Sequence, residues 1–359
     1  MNEVTCYIPF SSSNQYSENI KNAIKENGYR VCSIKQVIRN PRLFYKCKII
    51  NFNWYESLDK HKPALYQYIL KNLLIRLFKL SNKKLVFTLH NRIPHELVSE
   101  EGYEIRLMKL LAQKSDSIIG MCQDTRQVVA DLDSHASTKL TIIPHPNYVN
   151  NYPQNGIENG REKYGFTSKD VVFLFLGFIS PYKNVDLLIE CLGSTTETNI
   201  KLLVAGSVSD QQYKSKLQSM AYGYVNIVCD FRYVPDEEIA DLYRCSDIII
   251  MPYKKESVLN SGAMYLSFSL GRTVICPEIG SVKDLLSRDF IYSYDYSDEN
   301  EHRKALEERI HTVIEDVKTS QDILKIKGEM AKDYVKKFHS LDTVTEAYGQ
   351  LYKELLEKK

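Results

Sequence analysis

The sequence predicts an α/β protein made of two doubly wound domains, each a parallel sheet with helices on its faces. Three observations predict it. Short apolar runs rich in β-branched residues alternate with longer helical patterns along the whole chain, the signature of strand–helix–strand units. The alternation pauses once, from Pro144-His145-Pro146-Asn147 to Pro153-Gln154-Asn155-Gly156, a stretch of turn formers that reads as a linker. The length, 359 residues, suits two domains better than one.

In the first half the strand candidates are 3–9, 30–34, 47–52, 84–89, 116–121 and 139–143, with helices at 15–27, 63–80, 102–114 and 123–133 between them. After the linker, the continuous apolar run Val171–Leu176 restarts the pattern. Further strands read at 200–204, 225–228, 246–250, 273–276 and 289–292. Helices fall near 184–192, 210–221, 236–244, 260–270, 299–318 and 320–337. A last helix, 341–357, spaces Val344, Tyr348, Leu351 and Leu355 on one face and is expected to cross back to the first domain. The domains read as 1–150, 151–338 and this terminal segment, 339–359.

The composition is ordinarily globular, 43% hydrophobic and 26% charged, and excludes a disordered or collagen-like chain. The net charge of +2 hides an asymmetry: residues 1–150 carry 21 Lys+Arg against 13 Asp+Glu, leaving 26 against 32 for the rest. A basic first half points to an anionic partner, such as a phosphate-bearing lipid or a membrane surface, or is uneven surface charge; no nucleic-acid partner is expected. The eight cysteines form no C-x-x-C pair and sit in or beside apolar runs, so neither zinc nor a redox motif is expected, and a reducing cytosol fits. Glu3 to Phe10 reads as a strand rather than a signal peptide, and no apolar run is long enough to span a bilayer. The expected location is cytoplasmic, with peripheral attachment to the inner face of the plasma membrane as an option.

In open α/β sheets ligands bind beyond the carboxyl ends of the strands, so the residues following each strand are the ones to inspect. After 171–176 come Gly177-Phe178-Ile179-Ser180-Pro181-Tyr182-Lys183-Asn184, a tight turn, a lysine and a helix start: a diphosphate site, or a plain turn with a solvated lysine. After 246–250 come Met251-Pro252-Tyr253-Lys254-Lys255, then Asn260-Ser261-Gly262-Ala263, where Asn260 or Ser261 caps a helix; this too suits an anion, or is an ordinary capped helix. After 84–89 come His90, His95 and Glu96, side chains able to hold or take a proton near neutral pH, or a polar loop with capping roles. Their spacing is not that of a zinc site. The helix 63–84 carries Lys71, Asn72, Arg76, Lys79 and Lys83 within roughly 140° of arc. It reads either as a basic face docking on an anionic membrane or as a solvated face of a helix packed on its sheet.

The segments TLHNRIPHE (88–96), LGFISPYKNVDLLI (176–189) and MPYKKESVLNSGAMYLSFSLGRTVICP (251–277) resemble glycosyltransferases of the GT-B fold. The likeness is to family 4-like bacterial enzymes of exopolysaccharide and capsule assembly, a group that includes the GDP-mannose-dependent β-mannosyltransferases of xanthan assembly. Asn14-Gln15-Tyr16 and Asn51-Phe52-Asn53-Trp54 match further features of that group, so the resemblance spans nearly the whole chain. It implies two facing Rossmann-like domains with an interdomain cleft, and a metal-independent transfer with no cofactor beyond the nucleotide-sugar co-substrate. It implies that Lys183 holds the donor diphosphate, that Ser261, Gly262 and Ala263 offer amides to it, and that Tyr233 lies beside the base. Ser180, Tyr253, Lys254 and Asn260 complete the implied donor site. His90, His95 and Glu96 would face the acceptor and sugar, with Asn14, Gln15, Tyr16 and Trp54 on the acceptor. The chain departs from the pattern in three places. Val258 and Leu266 stand where family 4 has two glutamates, Phe178 and Ser180 stand where arginines are found, and Asn184 replaces a glycine. Arg232, Lys254 or Lys255 is then expected to supply the missing cation.

Two other classes compete. A two-domain NAD-dependent oxidoreductase requires G-x-G-x-x-G after an early strand, where this chain has Phe10-Ser11-Ser12-Ser13-Asn14. An inactive subunit supporting a partner transferase is favoured by the missing arginine and glutamates. A UDP-sugar donor is the alternative to GDP-mannose within the same fold.

Overall fold

The computed structural model describes residues 3–11, 14–93, 99–153 and 160–357. Its contacts divide the chain into two units, Met1–Pro146 with Ser257–Asn260 and Phe338–Lys359, and Asn147–Glu256 with Ser261–Lys337.

The first unit alternates β1 (Val4–Ile8), α1 (Gln15–Glu26), β2 (Arg30–Cys32), α2 (Ile34–Arg39), α3 (Pro41–Lys46), β3 (Cys47–Asn53) and α4 (Ala64–Leu80). It continues with β4 (Lys84–Thr88), α5 (Tyr103–Lys114), β5 (Ser117–Gly120), α6 (Thr125–Leu132) and β6 (Leu140–Ile142). All six strands run parallel in the order β2-β1-β3-β4-β5-β6. Such strands are covered on both faces, which is why Cys47–Asn53 and Lys84–Thr88 are nearly continuous buried runs. The sequence reading passed over α2 and α3. Each is six residues long, too short to show a helical period, and each is fixed instead by its cap. Ser33 and Gln36 form a reciprocal capping box, and Asn40 accepts from Arg42 N and Leu43 N.

The second unit holds α7 (Gly160–Lys163), β7 (Val171–Leu176), α8 (Val185–Gly193), β8 (Ile200–Ala205), α9 (Gln211–Ala221), β9 (Ile227–Asp230) and α10 (Asp236–Cys245). It continues with β10 (Ile248–Ile250), α11 (Gly262–Ser269), β11 (Thr273–Pro277), α12 (Gly280–Lys283), β12 (Tyr292–Tyr294), α13 (Glu299–Thr319) and α14 (Ile323–Phe338). The sheet order is β12-β11-β10-β7-β8-β9, again all parallel. The last strand lies later than its sequence suggests, because pairing starts at Ile275↔Tyr292 and Phe290 instead uses its carbonyl to hold Thr273 Oγ.

The final helix, α15 (Leu341–Glu357), belongs to the first unit and packs on α1. Asn27 Nδ2 donates to Thr345 O at 2.7 Å, and Asn51 Nδ2 donates to Tyr352 Oη at 3.1 Å.

Helix α4 departs in part from its sequence reading: Arg76 and Lys79 stay exposed, but Lys71 and Lys83 turn to the unit. The arc expected to be basic and solvated is largely tied to the unit. Lys71 Nζ donates to Tyr55 O and Ser57 O, Lys83 Nζ to Phe44 O, and Lys79 pairs with Asp116. Long aliphatic stems let these ammonium groups reach carbonyls while the stems pack, so a lysine-rich arc can face inward. Leucines are left outside.

Candidate active site

Each sheet has one place where successive connections depart in opposite directions, the position at which open α/β sheets bind ligands. In the second unit it lies between β7 and β10, and in the first between β1 and β3. Asn14, Gln15, Tyr16 and Trp54 follow β1 and β3, and Ser180, Lys183 and the segment from Tyr253 to Ala263 follow β7 and β10, whereas His90 follows β4 and Tyr233 follows β9.

The loop after β7 is shaped by two glycines. Gly177 has φ +136° and Gly206, after β8, has φ +144°; a Cβ on Gly206 would lie 1.9 Å from the Gly177 carbonyl oxygen. This approach lets β7 and β8 continue into an Ile179↔Val208 bridge, with Ile179 N donating to Ser207 O and Ser209 N to Ile179 O. The loop then closes in a single 3-10 turn, Pro181–Lys183, and Asn184 reverses the chain in the left-handed region. Lys254 N donates to Tyr182 O at 2.9 Å, fastening the loop after β10 to the one after β7.

Lys183 is thereby placed among rings. Its Nζ lies 5.8 Å from the Tyr253 centroid and 5.9 Å from those of Tyr182 and Phe175. Burial holds its pKa down to about 8. Among the described residues no carboxylate or other hydrogen-bonding group engages it. The other cations considered as substitutes for the missing arginine are all committed. Arg232 is held by Asp230 and Glu238, Lys254 by Glu299, and Lys255 by Asp295 and the Tyr296 carbonyl.

Of the two helix starts, only one is open to an anion. Asp186 occupies the first turn of α8, where it takes Lys216 and the Tyr213 hydroxyl. The first turn of α11 has no acidic residue. Ser261 caps it by accepting Met264 N at 3.2 Å, which leaves the Gly262 and Ala263 N–H groups without an intrahelical acceptor. Ser180 Oγ is buried and, among the described residues, unpartnered; so are both amide atoms of Asn260, which belongs to the segment counted with the first unit. Tyr233 is exposed beyond β9, its carbonyl taking Arg232, and no contact joins it to the Lys183 group among the described residues.

Sequence reasoning missed the brace behind this loop. His302 on α13 is buried, stacks on Tyr296 with centroids 4.0 Å apart, meets Tyr294 Oη at 2.9 Å, and is approached by Asn184 Nδ2 at 3.5 Å. Burial first, and then the Lys254 charge, lower its pKa to about 4. Neutral, it accepts from Asn184 at Nδ1 and donates from Nε2 to Tyr294. Tyr296 Oη in turn accepts from Lys255 N and donates to Tyr253 O.

In the first unit, Asn14 caps α1 by accepting Tyr16 N at 2.9 Å, and Gln15 begins the helix. Tyr16, Trp54 and His90 converge. Trp54, at φ +48°, stacks on His90 with centroids 3.8 Å apart, and Tyr16 meets both edge-on. His90 Nε2 lies 3.1 Å from Asn53 Oδ1. His145, read from sequence only as part of a turn, joins the cluster 5.0 Å from Tyr16; its signal was that it follows a strand end as His90 does. Burial lowers its pKa to about 3. His95 and Glu96 lie outside the described residues. Among the described residues no group of three His, Cys, Asp or Glu could hold a metal ion, and no helix is long and apolar enough to cross a membrane.

Residues 156–327 match the family described as glycosyl transferases group 1. The GDP-mannose:glycolipid 4-beta-D-mannosyltransferase of Xanthomonas campestris pv. campestris is 24% identical over 239 residues, 66% of this chain and 62% of its own length. The aligned part therefore falls short of two thirds of that relative. The putative glycosyltransferase YtcC of Bacillus subtilis is 21% identical over 294 residues, 77% of this chain and 69% of its own. Among solved structures, Anabaena Alr3699/HepE in complex with UDP superposes with a TM-score of 0.71 at 13% identity, covering 99% of this chain and 100% of that one. WaaG, a glycosyltransferase involved in lipopolysaccharide biosynthesis, gives 0.61 at 14%, over 97% and 98%. With its two six-stranded parallel sheets this chain has the GT-B fold, and its residues 156–327 form a glycosyl transferases group 1 domain.

Proposed function

We propose that this chain moves a sugar from a nucleotide-sugar donor, bound by the second unit, to a lipid-linked or other glycan acceptor, bound by the first, in surface polysaccharide assembly. The observation that carries the proposal is the Lys183 ammonium, free of any carboxylate among the described residues, on the loop beside the β7–β10 switch point. Mannose from GDP-mannose is the favoured donor, supported by the likeness to the Xanthomonas mannosyltransferase.

In the reaction the bond between the anomeric carbon and the diphosphate oxygen breaks, and a bond to the acceptor hydroxyl oxygen forms. Lys183 and the open N–H groups of Gly262 and Ala263 stabilise charge growing on the leaving diphosphate. Ser180 and Ser261 supply hydrogen bonds to the donor, with Tyr253 and Lys254 around it and the Tyr233 ring against the base. These fixed donors make the transfer metal-independent. Tyr16, Trp54, Asn14 and Gln15 hold the acceptor, with the Trp54 ring as a face for a sugar. With inversion, His95 or Glu96 takes the acceptor proton, and His90 lies against the sugar; with retention, the leaving phosphate takes it. The transfer takes place in the cytoplasm, with peripheral attachment to the inner face of the plasma membrane as an option.

Calorimetric titration with GDP, GDP-mannose, UDP and UDP-glucose in the presence of a chelator tests this. Selective binding of the guanine nucleotides, weakened roughly ten- to hundredfold by Lys183→Ala, is expected. Selective binding of uridine nucleotides would replace the donor. No binding of either would overturn the enzymatic reading in favour of an inactive glycosyltransferase-like subunit.

A further inference from the structure

Helix α4 exposes a continuous apolar face. Leu65, Ile69, Leu70, Leu73, Leu77 and Leu80, with Tyr66, are all solvent-exposed, Leu73 at 60% and Leu80 at 87%. At 100° per residue they fall within about 140° of arc. Gln67, Ile75 and Phe78 fill the opposite side and bury it. Scattered exposed leucines are ordinary, but seven large apolar side chains on one helical stripe mark a contact surface.

The surroundings of the stripe identify what it contacts. Helix α3 adjoins α4 through Phe44 and Phe78, and carries exposed Arg42, Tyr45 and Lys46. Helix α5 adjoins it through Tyr68 stacked on Tyr103, and carries exposed Arg106 and Lys109. Arg76 lies on the edge of the stripe itself. From residue 27 to residue 93 the chain holds 14 Lys+Arg and two acidic residues, Glu56 and Asp59. Glu56 is buried, and burial raises its pKa to about 7. A recess of about 750 Å³ beside α3 is lined by Lys25, Arg30, Arg42 and Lys46 and by no carboxylate. An apolar stripe in a field of fixed positive charge repels a second copy of itself, since pairing would bring like charges together. The same arrangement matches a bilayer with anionic headgroups, whose acyl boundary takes the leucines while the phosphates take the cations.

We propose that the apolar face of α4 inserts into the headgroup–acyl boundary of an anionic lipid bilayer, with the basic side chains of α3 and α5 on the headgroups. Insertion stands independently of sugar transfer, because none of these residues belongs to the candidate active site.

Flotation of the whole protein with vesicles of phosphatidylcholine, with and without phosphatidylglycerol, tests it. Binding is expected with phosphatidylglycerol, weakening severalfold as salt rises from about 0.05 M to about 0.5 M. The triple variant Ile69→Gln, Leu73→Gln, Leu77→Gln should bind such vesicles about tenfold more weakly or worse, with its melting temperature and nucleotide affinity unchanged. A Leu73→Trp variant should float like the parent, and its emission should shift to the blue on anionic vesicles; this readout does not depend on the triple variant folding. The proposal is overturned by absent flotation of the parent, by equal flotation of a folded triple variant, or by no shift from Leu73→Trp. It is also overturned if light scattering finds a parent dimer that the triple variant turns to monomer, since a second copy would then cover the face.

Discussion

The Lys183 ammonium stands 5.8 Å from the centre of the Tyr253 ring, and no carboxylate engages it among the described residues. A cation kept half-buried without a counter-ion costs the free protein stability and is released from that cost when an anion arrives.

A bound diphosphate favours the charged lysine and so raises a pKa that starts at about 8. Nucleoside diphosphate affinity should therefore be full below pH ~8 and fall as pH rises through it, by up to about tenfold per pH unit. Lys183→Met should abolish that slope along with most of the affinity. In the ligand-free protein the sign reverses. The unfolded lysine keeps its proton up to its usual 10.5 while the folded one loses it near 8, so the cost of burial fades across that window. Lys183→Met should melt higher than the parent at pH 7, with the gain disappearing toward pH ~10.5. A pH-independent affinity in the parent would remove Lys183 from the anion site.

Gly206→Ala should be severe. Its Cβ would collide with the Gly177 carbonyl, at a φ that L side chains rarely adopt. A loss of about 2 kcal/mol or more in urea unfolding is expected, with weakened nucleotide binding, because the loop bearing Lys183 hangs on this approach. Gly223→Ala, also at positive φ but with open space around it, separates backbone strain from collision and should cost less.

Two buried histidines give the fold an acid limit. His145 and His302 titrate near 3 and 4 in the folded protein, against an ordinary 6.5. Below pH 6.5 the unfolded chain binds protons that the native chain refuses. Stability should therefore drop by about 1.4 kcal/mol per pH unit for each histidine as pH falls toward 4. His302→Gln should flatten part of this slope in denaturant titrations between pH ~4 and ~6.5; an unaltered slope would mean that His302 does not stay neutral on folding.

Trp54→Ala removes the ring stacked on His90 and frees the imidazole to swing away from Asn53. Transfer to acceptor should slow by roughly ten- to hundredfold, while the affinity for the donor nucleotide, measured in the same preparation, holds. An equal loss in both would show damage to the fold instead of the first-unit site.

The sheets were legible because parallel strands are buried on both faces and spell near-continuous apolar runs, as Val171–Leu176 does. The residues beyond their ends were legible for the same topological reason, and Tyr16, Trp54 and His90 do come together. Short helices were not, because α2 and α3 are defined by caps rather than by period. Nor was the orientation of α4: its basic arc and its leucine stripe could each have faced water, and the carbonyls of Tyr55, Ser57 and Phe44, which no spacing reveals, draw Lys71 and Lys83 inward. His302 and its tyrosines come from a helix and strand far along the chain, and spacing alone carries no trace of that brace.

The place of α15 has a consequence for how the protein is made. The ribosome releases the six strands of the first sheet long before the helix that packs on α1 and bonds Asn27 and Asn51. At about 5–20 residues per second the nascent first unit waits some ten seconds or more with that side uncovered, while the second unit has all its own strands and helices first. The half of the protein synthesised first is thus the half completed last, and a stalled or shortened message would cripple it before the other.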